Sequence, residues 1–232
     1  MMLPKTWIQC REARGNVRHH DAEAGLLTLC QQAAVARIAY ALQRPPAVVL
    51  LCGPAGAGKT LVLDAVSALP GVSDRLPSRC SPSSAAEPVP VSSPVLLVDD
   101  AHLASDGQLA RMLDDHFRHQ PPGVVVLAGE GRLLSLVARD RRLEQMVTLR
   151  AILAPFTLEE TRTLVAPRIE MHCSPADRDD VSRTIHEIAA GIPSVALRLV
   201  DMASIVAAAA PGRSLIPQDI EALYRRLFLQ AA

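Results

Sequence analysis

Eight consecutive residues, Gly53-Pro54-Ala55-Gly56-Ala57-Gly58-Lys59-Thr60, restrict the fold of this chain more than any other stretch. Their glycines let the backbone turn tightly, so that successive N–H groups can point inward at one centre. Ala47–Cys52, directly before them, is a short apolar run rich in Val and Leu, as expected of a strand buried on both faces. A helix is expected to begin near Gly58 and to carry Leu61, Leu63 and Val66 as far as Pro70. A strand, a GxxxxGK[ST] loop and a helix in that order form a phosphate-binding device. Its backbone N–H groups cradle phosphate oxygens, and the helix N-terminus adds a positive dipole end. Lys59 reaches the β and γ phosphates, Thr60 offers its hydroxyl to Mg²⁺, and Leu61 completes the expected nucleotide-binding stretch.

A second motif places Asp99 39 residues beyond Thr60. Val95-Leu96-Leu97-Val98-Asp99-Asp100 is a buried-strand pattern that ends in two acids. At a strand tip beside a phosphate loop, Asp99 can hold Mg²⁺ through water while Asp100 orients an attacking water. Thr60 and Asp99 are thus the expected metal residues. Many strands end in Asp, so the pairing with the loop gives this motif its weight.

Composition narrows the rest. At 232 residues the chain can bury one good core and a small satellite. Aromatic residues are 3%, which makes the core aliphatic. Lys+Arg and Asp+Glu are balanced at 24 each, so no global field favours a polyanion such as DNA. Contact with DNA would rest on local patches, at Arg11, Arg14 and Arg18 or at Arg139–Arg142, and neither has interleaved aromatics. The five cysteines have no CxxC spacing and no signal peptide is evident, which reads as reduced thiols in a cytoplasmic protein. No apolar run approaches the roughly 20 residues of a spanning helix, so no membrane insertion is expected.

Residues 1–22 read as a loose basic arm, and residues 23–42 as an amphipathic helix stopped by Pro45 and Pro46. Residues 70–94 hold Pro70, Pro77, Pro82, Pro88, Pro90 and Pro94 among many serines, and read as an exposed, mobile loop. Ser105 and Gln108 suggest a capping box for a helix with Leu109, Met112, Leu113, His116 and Phe117 on one face. Further strands are expected at Gly123–Ala128 and Val147–Leu153. After Pro155 only helices are expected: Thr157 to about Met171, Ser174–Ala190, Pro193–Ala208 and Pro217–Leu229. The division is a parallel α/β base domain over 23–155 and a small helical domain over 156–232. His116 and His119 lie one helical turn apart, but no third metal ligand is evident. A P-loop kinase would need an arginine-rich lid, and the Pro/Ser stretch offers only Arg75 and Arg79.

In order along the chain, Gly53–Thr60, Leu96–His102, Val126–Glu130 and Gly191–Ser194 resemble the motifs of an AAA+ P-loop ATPase. The pattern is most similar to the ExeA/GspA, TniB and MuB group, and more distantly to DnaA- and Hda-type proteins. The resemblance implies an α/β fold with a parallel sheet sandwiched by helices and an all-helical lid. It also implies ATP and Mg²⁺ as cofactors, a homo-oligomer, and a protein partner that supplies specificity.

Several positions depart from that family. Asp100 stands where its catalytic acid is usually Glu, and Glu130 where its sensor is usually neutral. Ser194 replaces the arginine that opens the lid helix, leaving Arg198, one turn on, as the substitute nucleotide contact. Met146 replaces the usual inter-subunit arginine, leaving Arg141 or Arg142 as candidates. The short Pro/Ser-rich span implies a reduced second strand at the sheet edge. The implied catalytic set is Lys59, Asp100, Glu130 and Arg142. Ground-state binding residues are intact, whereas groups that act on transition-state charge are altered. The expectation is sound ATP binding with slow or partner-stimulated hydrolysis that drives assembly of a complex. The alternative is a non-catalytic ATP-gated adaptor.

Overall fold

The computed structural model describes residues 27–82, 93–209 and 213–226. Five parallel strands, β1 (Ala47–Cys52), β2 (Ser78–Cys80), β3 (Val95–Val98), β4 (Val124–Gly129) and β5 (Val147–Ile152), form one sheet in the order β2-β3-β4-β1-β5. Every residue of β1, β3 and β4 is buried, as continuous apolar runs require when helices cover both faces. Side chains alternate across the sheet, so Val49 and Leu51 join one apolar cluster while Val48, Leu50 and Cys52 join the other.

The first cluster is covered by α1 (Leu29–Leu42) and α2 (Lys59–Ser67). The second is covered by α3 (Gln108–His119), α4 (Gly131–Arg139) and α5 (Arg141–Met146). Four more helices, α6 (Leu158–Ile169), α7 (Arg178–Ala189), α8 (Pro193–Ala209) and α9 (Pro217–Tyr224), pack around an apolar cluster of their own. Val165, Ile185, Val200 and Ile220 are fully enclosed in it.

Some expected boundaries move. α1 begins at Leu29 rather than in the low twenties, because Thr28 and Gln31 form a reciprocal capping box there. Residues 1–26, which include the basic arm, lie outside the described residues. Ser105 and Gln108 close a turn instead of capping a helix. The Gln108 side chain accepts from the Ser105 N–H, but α3 starts only at Gln108, after a left-handed Gly107. The capping box expected at Thr157 and Glu160 is present.

The stretch over 70–94 is more ordered than its prolines suggest. A 3-10 turn at Ser73–Arg75 leads into β2, which pairs with β3 from Ser78↔Leu96 to Cys80↔Val98. Residues 83–92 lie outside the described residues. A strand of three residues at the sheet edge matches the expected reduction of this element.

α3 buries Leu109, Leu113 and His116, with Met112 and Phe117 packed beside them. Burial pushes the His116 imidazole below its ordinary pKa, and a hydrogen bond to the Pro94 backbone offsets this only in part. His119 instead hydrogen-bonds the Asp115 carbonyl at 2.8 Å, and no cluster of three metal-binding side chains occurs among the described residues. The folded pKa of His116 is depressed, so the neutral form is favoured and its stability contribution is full above about pH 6.5. Below that the unfolded chain takes up the proton more readily and stability falls. Urea midpoints are expected to drop between pH 7.5 and 5.5, with a shallower drop in His116→Leu. Equal slopes in the two proteins would show that His116 does not carry the effect.

Candidate functional site

β1 brings the chain to Gly53 at the C-terminal edge of the sheet. The Gly53 N–H donates to the Gly129 carbonyl at 3.2 Å, and the Leu153 N–H to the Cys52 carbonyl at 2.7 Å. The loop therefore starts from a point fixed on both sides. Gly58 then turns the backbone into α2 with φ 88°, and a methyl group there would lie 2.5 Å from the Gln31 amide nitrogen. That nitrogen donates to the Ala57 carbonyl at 3.2 Å, while the Gln31 carbonyl oxygen accepts from the Thr28 N–H. The capping box of α1 thus also fastens the loop.

The N–H groups of Gly56, Gly58, Lys59 and Thr60 have no acceptor among the described residues. Donors at a helix start lack intrahelical partners, and four of them on one tight turn are a set that can serve an anion. Lys59 is only 7% exposed, and its ammonium donates to the Gly53 and Pro54 carbonyls at 3.1 and 2.9 Å. The cation is held within the loop. Leu61, the second residue after it, is partly exposed on the first turn of α2.

β3 places Asp99 opposite this turn. The Thr60 hydroxyl donates to Asp99 Oδ2 at 2.9 Å, so the two expected metal residues are already in contact. Burial pushes the Asp99 carboxyl up, but hydrogen bonds from Arg79 and Thr60, with the Arg79 charge, outweigh it and hold the group below its ordinary value. A hydroxyl beside an ionised carboxylate is a hard oxygen donor set suited to Mg²⁺. Asp100 is exposed and left-handed at φ 51°, a conformation that Asp tolerates better than most residues.

The other candidates are distributed around this centre. Glu130 follows β4 and its carboxylate lies 3.9 Å from His102 Nε2, an ion pair only when that histidine is protonated. The opposite ring nitrogen, His102 Nδ1, is buried without a partner among the described residues. Ser194, on the first turn of α8, meets the loop directly, and its N–H donates to the Gly56 carbonyl at 3.3 Å. Arg198 is exposed one turn further along α8 and forms no ion pair among the described residues. Arg142 turns to Asp114 of α3 at 3.3 Å and joins no residue of the loop. Asp140, within the Arg139–Arg142 stretch, caps α5 by accepting from the Arg142 and Leu143 N–H groups, and Glu144 faces Arg150.

Three site residues have roles the sequence did not reveal. Gln31 braces the loop, and its signal was the Thr28-x-x-Gln31 spacing. Asp64 and Arg79 form an ion pair beside Asp99, with Arg79 Nη2 donating to Asp99 Oδ2 at 2.6 Å. Nothing in the Pro/Ser-rich stretch marks Arg79 as part of this site until β2 is aligned with β3.

The sequence matches no family model, and no curated protein matches it significantly. The architecture does have solved counterparts. The Holliday junction branch migration motor RuvB of Thermotoga maritima is similar with a TM-score of 0.54 at 18% identity, over 85% of this chain and 68% of that one. The Aeropyrum pernix ORC2 protein in its ADP form gives 0.58 at 16%, over 83% and 66%. The FIGL-1 AAA domain in complex with ADP gives 0.57 at 16%, over 93% and 86%. The fold is that of the AAA+ P-loop NTPases. The chain spans about two thirds of the RuvB and ORC2 chains. In this chain the loop, the tip of β3 and the start of α8 meet through the hydrogen bonds from Thr60 to Asp99 and from Ser194 to Gly56. No helix among the described residues is long and apolar enough to cross a membrane.

Proposed function

We propose that the chain binds Mg-ATP at Gly53–Thr60 and Asp99, and uses that binding to drive assembly or remodelling of a protein complex. The observation that carries this reading is the loop itself. Four N–H groups without an acceptor among the described residues and a buried lysine belong to one tight turn, and the Thr60–Asp99 hydrogen bond lies beside it. These N–H groups and Lys59 neutralise phosphate oxygens, while Thr60 and Asp99 hold the metal. When bound, Mg²⁺ supplies positive charge that screens the β and γ oxygens. Asp100, the exposed acid next to Asp99, orients the attacking water.

The transition-state groups are weaker. Ser194 carries no charge, Arg142 is paired with Asp114, and Glu130 adds a negative charge at the sensor position. Slow or partner-stimulated hydrolysis follows, since an arginine finger contributes about 10³-fold or more to rate. A homo-oligomer would let Arg142 or Arg141 of one copy reach the nucleotide of another. Among motif patterns the ExeA/GspA, TniB and MuB group fits best, so the working partner is a separate protein. DNA is a less favoured partner, given the balanced charge.

The same weakness favours a second reading, an adaptor gated by ATP without turnover. Phosphate release by the purified protein separates the two. Turnover that disappears in Asp100→Ala supports the ATPase, whereas tight binding without turnover, with or without partner, supports the adaptor. Absence of nucleotide binding overturns both.

A further inference from the structure

Arg79, in the edge strand β2, has its side chain anchored on two acids of the site. Its Nη2 donates to Asp99 Oδ2 at 2.6 Å, and its Nη1 pairs with Asp64 of α2. The same Oδ2 already accepts the Thr60 hydroxyl, and Asp99 Oδ1 accepts the Asp100 N–H at 3.1 Å. Both carboxylate oxygens are therefore engaged by the protein, one of them by a full positive charge. The placement is built into the sheet: Arg79 pairs with Leu97, and the Asp99 N–H donates to the Cys80 carbonyl at 2.9 Å, which fixes β2 against the tip of β3. Asp99 is the less exposed partner, at 15% of its side chain against 37% for Arg79, so solvent screens the pair only in part.

We propose that Arg79 is a built-in counter-cation of Asp99 that competes with Mg²⁺ for this carboxylate and so sets how strongly nucleotide binding depends on the metal. The inference rests on the reading that Thr60 and Asp99 hold Mg²⁺. Two cations beside one carboxylate repel each other, so the metal must loosen the Arg79–Asp99 contact. Asp64 gives the guanidinium a second anchor to fall back on. Without the metal, the same guanidinium offsets the negative charge that Asp99 and Asp64 would otherwise set against the phosphates, which supports nucleotide held without metal. Arg79 thereby favours metal-free nucleotide and opposes the metal. No kinase-type lid is needed to explain an arginine in this stretch.

The test uses the full chain and a fluorescent ADP analogue, titrated in EDTA and then with MgCl₂ at fixed nucleotide. Arg79→Ala is expected to weaken binding in EDTA about tenfold and to lower the Mg²⁺ midpoint about tenfold, a size set by one partly screened unit charge a few ångströms away. Asp64→Asn removes the fallback anchor and leaves Arg79 committed to Asp99, so its Mg²⁺ midpoint is expected to rise. Thermal melts of each variant verify folding, and opposite shifts from two neighbouring substitutions would not arise from general damage. If Arg79→Ala and Asp64→Asn both keep the wild-type midpoint, or both move it the same way, the counter-cation role is wrong. Lys59→Ala separates this from failure of the site itself. Wild type that binds no better than Lys59→Ala overturns the nucleotide reading and this inference together. A normal Lys59 effect with an unmoved Arg79→Ala overturns this inference alone.

Discussion

Lys59→Ala is expected to weaken nucleotide binding by at least about 100-fold, read as loss of the anisotropy signal of a fluorescent ATP analogue. Each hydrogen bond from a charged donor contributes about 1.5–3 kcal/mol, and the ammonium can serve two phosphate oxygens. At about 1.4 kcal/mol per decade, two such bonds exceed two decades. Lys59 also ties Gly53 and Pro54 together in the folded chain, so part of the loss will come from a looser loop. Lys59→Met keeps the length of the side chain without its charge and isolates the electrostatic part. Near-wild-type affinity in both variants would remove the phosphate loop from the proposed function.

The second large effect concerns Gly56. Its φ of 75° is left-handed, and an added Cβ would lie 1.9 Å from Ser194 Oγ, 2.9 Å from Ser194 Cβ and 3.1 Å from Ile192. The hydroxyl can rotate away, but the other two atoms belong to the turn that opens α8. Gly56→Ala is therefore expected to destabilise the protein by about 2 kcal/mol or more, combining left-handed backbone strain with displacement of α8. Ser194→Gly removes the two nearest crowding atoms and leaves the strain and the Ile192 contact. In that background the cost of Gly56→Ala is expected to shrink by about 1 kcal/mol in a double-mutant cycle followed by urea denaturation. Strict additivity would mean that α8 does not rest on the loop in solution.

How much of this was legible in the sequence depended on how local each signal was. β1 is found at the residues expected, because a fully buried strand between Pro46 and Gly53 leaves no room for another boundary. The Thr157 cap was equally plain, since both of its members lie within four residues. A reduced edge strand was expected, but the position of β2 was hidden because three residues carry no periodicity and the flanking Pro77 and Pro82 pointed to a loop. Its pairing is decided by the neighbour across the sheet, which the sequence does not order. The same reason concealed Arg79. Lys59, Thr60 and Asp99 could be read from two short motifs, whereas Arg79 and Asp64 acquire meaning only when β2, β3 and α2 are set side by side. The arginine positions were the least legible. Arg142 was chosen by elimination, and the fold gives it Asp114 as a partner from α3.

The hydrogen bond from the Ser194 N–H to the Gly56 carbonyl also has a mechanical side. α8 has 17 residues, so it is a rod about 25 Å long at 1.5 Å per residue, supported on the loop at one end. A tilt of about 10° about that support sweeps the far end by roughly 4 Å. That half of the rod carries Ile205 and Val206, two apolar side chains left open to solvent. Because α8 packs with α6, α7 and α9 through Ala196, Val200 and Ala203, such a tilt would carry the other three helices with it, and the loop contact would be the fulcrum of that movement.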